Sequence, residues 1–182
     1  MLYNKYCKIT NAKGEEMKRG KRIALITGLS ISLVLGSSIV FVKNSRIFAQ
    51  DFEYQSDKSL SLVNNERSKH GLNALNWNSK LYEAAEKKAN DIFEKNYFDH
   101  TSPEGAKVWS FILDSGYSYK TAGENLAVEF NNVEQAVDAW KQSPTHMANI
   151  LSGKFSDYAL YEKEGELDGK SVKVYVQLFG SK

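Results

Sequence analysis

From Ile23 to Val42 the chain carries 20 consecutive residues without a charge, IALITGLSISLVLGSSIVFV, bracketed by Arg22 and Lys43. A helix of that length rises about 30 Å, the thickness of a bilayer's hydrocarbon core. No polar stripe interrupts the run, so a buried soluble helix fits it poorly. Lys18, Arg19, Lys21 and Arg22 stand before it, whereas only Lys43 and Arg46 come closely after it. That asymmetry keeps the N-terminus in the cytoplasm and sends the residues beyond Lys43 across the membrane. The chain is thereby divided into a basic head (1–22), the apolar run (23–42), a polar and aromatic linker (43–57) and an extracytoplasmic domain (58–182). A retained anchor and a cleaved signal peptide both satisfy the pattern. The run exceeds the usual signal core of about 7–15 residues, and isoleucine replaces a small residue in Ile47–Phe48–Ala49, which favours the anchor.

KGEEM back-translates to a purine-rich stretch resembling a ribosome-binding sequence just before Met17. Met17 is therefore expected to be the true start, with MKRGKR as the basic head of an exported protein. The single cysteine, Cys7, precedes that point. The domain then has no disulfide and must be held by its core alone. A net charge of +2, with basic and acidic residues interleaved, excludes nucleic acid as a partner.

Within 58–182, SLSLVNNERSKHG reads as a helix with Leu60, Leu62 and Val63 inward and Gly71 as its C-terminal cap. NSKLYEAAEKKANDIFEKN is a stronger helix, capped by Asn78, with Leu81, Ala85, Ala89, Ile92 and Phe93 at helical spacing. EGAKVWSFILDSG predicts a short third helix ending at Gly116. NNVEQAVDAWKQ predicts a fourth, with Val133, Ala136, Val137 and Trp140 on one face. Ser143 and Pro144 supply an N-cap and a first-turn proline for a fifth, THMANIL. At the C-terminus, Val172, Val174, Val176 and Leu178 alternate with Lys173, Tyr175, Gln177 and Phe179, the period of a strand. FSDYALYEKEG is its expected partner, joined through a turn at Asp168–Gly169. Helices leading into an antiparallel sheet describe an α+β layered domain.

Against that scaffold the polar residues separate. His70 precedes the capping glycine and reads as solvated. Glu124 lies in TAGENLAVEF, an acid inside an otherwise apolar stretch. A buried carboxylate is costly without a donor, and a histidine is a natural one. Gly123 beside it permits an unusual backbone angle or a close approach. His146 falls in the first turn of the fifth helix, where the positive helix end keeps an imidazole neutral. His100, in YFDHTSPEG, precedes a turn, with Tyr97 and Phe98 expected to pack the end of the second helix and aim it. Ser102 and Ser143 read as turn and cap residues. Asn125 and Asn149 are expected to satisfy backbone polar groups. Trp77, Trp109 and Trp140 are expected to be core anchors.

YFDHTSPEG, AGENLA and SPTHMANIL, in that order and with YVQLFG after them, resemble the CAP superfamily in its bacterial secreted, SCP-like branch, over roughly residues 60 to 180. The resemblance implies an α-β-α sandwich with a central antiparallel sheet between helical layers. It further implies a cleft where two histidines meet acidic residues, the histidines sometimes holding a metal ion. By motif match His100, Glu124 and His146 carry over to that cleft. Many eukaryotic members place a second acid shortly after the fourth-helix tryptophan; here Ser143 stands three residues past Trp140. The glycine pair expected in FSDYALYEKEG is replaced by Ala159, Leu160 and Tyr161, which could reshape the adjoining sheet.

Such a cleft admits three readings. The first is a non-enzymatic binding module for an extracellular small molecule, lipid, peptide or cell-wall fragment. His100 and His146 alone make an incomplete zinc site. The second is a metal-assisted hydrolase, with those histidines as ligands and Glu124 as general base. The third is a polar cluster that ties loops to the sheet. No HExxH spacing is present, and the only serines with a case as nucleophiles, Ser102 and Ser143, are explained as turn and cap residues, so the residues favour binding.

Overall fold

The computed structural model describes residues 58–182; the basic head, the apolar run 23–42 and the linker 43–57 lie outside the described residues. Among the described residues no helix is long and apolar enough to cross a membrane. Residues 58–69 are helical (α1) and lead into β1 (Asn76–Trp77), α2 (Ser79–Glu94) and α3 (Val108–Asp114). Then come β2 (Thr121–Val128), α4 (Val133–Gln142), α5 (Pro144–Ile150), β3 (Asp157–Leu167) and β4 (Lys170–Ser181).

The strands form one sheet in the order β1-β3-β4-β2. β3 and β4 pair antiparallel from Asp157↔Gly180 to Leu167↔Lys170, and β2 pairs antiparallel with β4 from Thr121↔Ser181 to Val128↔Val174. The β3–β4 register is unbroken through Ala159, Leu160 and Tyr161, so the missing glycine pair leaves the sheet regular. The two-residue β1 adds a parallel edge that local sequence does not announce, because its partners Asp157 and Tyr158 lie far along the chain.

Side-chain alternation sorts the sheet's two faces. Leu126, Val128, Ala159, Val174, Val176 and Leu178 pack with Leu81, Ala85, Ala89 and Ile92 of α2 and with Val108 and Ile112 of α3. Ala127, Tyr158, Leu160, Tyr175 and Phe179 pack with Val63 of α1, Val133, Ala136, Val137 and Trp140 of α4, and Ile150 of α5. A helical layer on each face makes the α-β-α sandwich. It also explains why both sets of alternating β4 residues are buried from Val174 to Gly180, rather than one set facing water.

Local signals are obeyed at most element ends. Asn78 Oδ1 accepts from Lys80 N (3.0 Å) and Leu81 N (3.3 Å) at the start of α2. Gly71 adopts φ +68° just past α1, as the αL cap requires. Asp168 (φ +51°) and Gly169 (φ +72°) are both left-handed, the requirement of a two-residue type I′ hairpin. α3 starts later than its sequence suggests: residues 101–107 form a closed turn instead. Ser102 N bonds Ala106 O (2.8 Å), Ser102 Oγ accepts from Ala106 N (3.0 Å), and Thr101 bridges Lys107.

Of the three tryptophans only Trp140 anchors the core; it is fully buried and donates Nε1–H to Leu126 O at 3.0 Å. Trp77 and Trp109 are 41% and 36% exposed, against the expectation of three core anchors. Each has one tyrosine ring beside it, Tyr82 and Tyr119 respectively.

Candidate functional site

Glu124 is the fourth residue of β2, with its side chain only 3% exposed. Its Oε2 accepts a hydrogen bond at 2.6 Å from His100 Nδ1, across 24 residues of sequence. A carboxylate can only accept, so Nδ1 carries the proton and Nε2 is left at the outer edge of the ring. Glu124 Oε1 is buried and has no hydrogen-bond partner. The acid therefore has one oxygen engaged and one unsatisfied. His100 is the exposed partner, its side chain 55% accessible, and the bond to Glu124 raises its pKa above the ordinary imidazole value.

The loop that carries His100 is tethered from below by Lys88, fully buried on α2. Lys88 Nζ donates to Tyr97 Oη (2.8 Å) and to the carbonyls of Asp99 (2.9 Å) and His100 (3.4 Å). Tyr97 in turn donates to Asp91 Oδ2 at 2.5 Å. Burial lowers the Lys88 pKa, and the negative charge of Glu124 is the largest influence opposing that. Tyr97 and Phe98 pack against the α2 side of the core, as the sequence suggested. Lys88 itself was missed by sequence reasoning. The signal was present: it occupies a position of the buried α2 stripe, between Ala85 and Ile92, where an apolar residue belongs.

Asn149, on α5, donates to Glu124 O (3.0 Å) and to Asn125 Oδ1 (2.8 Å). Asn125 donates to Gln177 Oε1 (2.7 Å) and to His146 O (3.2 Å), and Gln177 donates to the Tyr158 hydroxyl (3.0 Å). Both asparagines thus do the expected structural task of binding α5 to the sheet. Gly123 is there for close approach: a Cβ on it would stand 2.8 Å from Phe155 Cζ and 3.2 Å from Asn149 Oδ1.

His146 shares this neighbourhood without a direct bond to Glu124 or His100. Its Nδ1 lies 2.8 Å from Ser143 Oγ. Ser143 holds the N-cap position of α5, but its side chain makes no capping bond; it serves His146 and Thr145 instead. Burial, then the positive charge of His100, lowers the His146 pKa. Among the described residues no group of three or more His, Cys, Asp or Glu side chains is placed to hold a metal ion.

Above the pair lies an open cleft of about 390 Å³. His100, Thr101, Glu124, Gly123, Lys107 and Trp109 line it, with Val108, Ala122 and Asn149 completing the wall. His146 is not part of that lining. Trp109 was expected in the core; the exposed indole instead forms an aromatic flank of the cleft. His70 lies elsewhere, on the exposed end of α1 against Glu66 O at 3.0 Å.

This fold has counterparts among known proteins. The model of the cysteine-rich secretory protein family (CAP) matches residues 60–179. The uncharacterized protein YkwD of Bacillus subtilis (strain 168) is 39% identical over 111 residues, 60% of this chain and 43% of that protein. The uncharacterized membrane protein YlbC of the same organism is 33% identical over 120 residues, 66% of this chain and 32% of that protein. The chain thus spans less than half the length of either relative. Among solved structures, an extracellular protein containing an SCP domain from Bacillus anthracis superposes with a TM-score of 0.60 at 27% identity, covering 71% of this chain and 41% of that one. An outer surface protein of Borrelia burgdorferi, at 24% identity and a TM-score of 0.60, shares the fold; the match covers 68% of this chain and 89% of that one.

Proposed function

The chain belongs to the cysteine-rich secretory protein (CAP) family, and from that premise we propose that residues 58–182 are a non-enzymatic binding module held outside the cytoplasmic membrane. The apolar run 23–42, with its basic flank, would serve as the anchor. An extracellular solved relative and an outer-surface one support the placement.

One observation carries the binding reading: an exposed histidine, His100, is fixed by the buried carboxylate of Glu124 at the wall of an open cleft whose lining also holds the exposed indole of Trp109. With Nδ1–H held by Glu124, the other ring nitrogen of His100 is left for a ligand hydroxyl, and Trp109 offers an apolar face. A ligand with hydroxyl or amine donors on one side and a flat apolar surface on the other fits that lining. Cell-wall fragments are such ligands, and they are what an anchored extracytoplasmic domain meets.

Titration with soluble cell-wall fragments, monitored by isothermal titration calorimetry, tests the proposal. Glu124→Gln and Trp109→Ala should each weaken binding by about tenfold, equivalent to about 1.4 kcal/mol. Equal binding by wild type and both variants would reject the cleft. Fragment cleavage by wild type that Glu124→Gln abolishes would make the protein an enzyme instead.

A further inference from the structure

We propose that a second cavity, between the C-terminal ends of α1 and α5, binds a small oxyanion, the phosphate or carboxylate group of a ligand, through Arg67. The cavity measures about 480 Å³, and its lining includes Arg67, Asn73, Asn76, Gly153, Lys154 and Phe155.

Arg67 is 1% exposed. Its Nε donates to Asn73 O (2.9 Å), and its Nη1 donates to Ile150 O and Ser152 O (both 2.8 Å). Nη2 takes part in none of the hydrogen bonds among the described residues, and it is not among the sealed, unsatisfied atoms. Two N–H groups of a buried guanidinium are therefore left over on a residue that borders the cavity. No carboxylate offsets the charge: no described ion pair includes Arg67, and burial alone acts on its pKa, downward. A buried charge without a counter-charge is costly. Three carbonyl dipoles lessen that cost and leave the net charge in place.

The rest of the wall matches. Lys154 adds a second cation, and no acid lines the cavity. The backbone amides of Asn73, Ala74, Gly153 and Phe155 make none of the described hydrogen bonds. Three of the nearby acceptors are occupied: Asn73 O by Arg67, Ser156 O by Asn76 N, and Ser156 Oγ is turned to Asp157. A wall with two cations, unengaged amide donors and no acid selects an anion with several oxygens. Because Nη1 has both hydrogens engaged, the Nη1–Nη2 fork is closed, and recognition runs through Nη2 together with Lys154 and loop amides.

The test uses the full chain in a neutral detergent, with backbone amides observed by NMR while inorganic phosphate or acetate is added at constant ionic strength. Saturable shifts confined to residues 71–74 and 153–156 are expected; saturation by phosphate or by acetate assigns the group. Lys154→Glu, at an exposed position, should weaken the affinity by about tenfold through charge reversal and leave cleft amides and melting temperature unchanged. Asn73→Asp should act in the same direction. Absence of saturation at millimolar concentrations of both anions would overturn the proposal. So would equal shifts produced by chloride, or an affinity indifferent to Lys154→Glu.

Discussion

Two cavities are bordered by residues that stand next to each other, Gly123 and Phe155. Gly123 borders the Glu124 cleft and Phe155 borders the Arg67 cavity. Each encloses a buried charge, and the charges are held differently. Glu124 has His100 bonded to it and Lys88 within electrostatic reach. Arg67 has only carbonyl dipoles. Removing a partner should therefore injure the two sites unequally, because one site is a charge network and the other is a single charge wrapped in backbone.

The largest difference is expected from the two buried cations. Lys88→Met removes a charge from among Glu124, Asp91 and Asp99 and leaves the loop carbonyls of residues 99 and 100 without their donor. Breaking a buried charge arrangement on one side costs about 3 kcal/mol. Arg67→Met leaves carbonyls that water in an open cavity can reach, so about 2 kcal/mol is expected. Urea denaturation of both variants measures the order. A larger loss for Arg67→Met would break the distinction between the two sites.

Gly123→Ala strikes the contact with Phe155. Its new methyl would sit 2.8 Å from Phe155 Cζ, so the ring or the strand must shift. Overpacking of this kind costs about 1–3 kcal/mol. Phe155→Leu in the same chain should restore most of it by making room. A double variant no more stable than Gly123→Ala alone would place the strain elsewhere.

Much of this was legible in the sequence, and the illegible parts share a cause. Asn78, Gly71 and Asp168–Gly169 act within a few residues of themselves, so their types announce a cap, a stop and a turn. The motifs around His100 and Glu124 announced a histidine beside a buried acid, and the two are in contact. What escaped depends on residues distant in sequence. Lys88 falls on the apolar stripe of α2, but what it holds there is set only when the 97–100 loop folds over it. Ser143 looks like a cap until His146 draws its hydroxyl away. Trp109 looks like core until the 101–107 turn starts α3 late and leaves the indole exposed. His146, expected in one cleft with His100 and Glu124, bonds Ser143 instead and does not line the cavity: helix position places a backbone, and side-chain partners decide the rest.

A smaller effect tests the acid side alone. Glu124→Gln preserves shape and removes the charge that stabilises the imidazolium of His100. The His100 pKa, tracked by NMR of the ring, should then fall from its raised value. The Arg67 cavity should not respond; shifts at residues 153–156 comparable to those at residue 100 would mean that the two cavities are coupled through Phe155. An unchanged His100 pKa would mean that the carboxylate is not its partner in solution.

The smallest effect divides the cleft's own neighbourhood, because its two histidines respond to pH with opposite signs. The His100 pKa is raised, so the folded state holds that proton more tightly than the unfolded chain does. Its stabilisation is fully present below the unfolded value of about 6.5 and is lost as pH rises through the folded value. The His146 pKa is lowered, so acidification through about 6.5 toward its folded value favours the unfolded chain instead. In the wild type the two oppose each other, and stability should change little between pH 5 and 8 on their account. His100→Ala should leave the His146 penalty alone, making the protein less stable toward acid. His146→Ala should leave the His100 bonus alone, making it more stable toward acid. Since the His100 side chain is 55% exposed, solvent screens the pair, and each change should stay below about 1 kcal/mol. Denaturation midpoints measured at several pH values resolve the sign even at that size. If both substitutions tilt the pH profile the same way, the histidines are not held by separate partners, and the assignment of His100 to Glu124 and His146 to Ser143 fails.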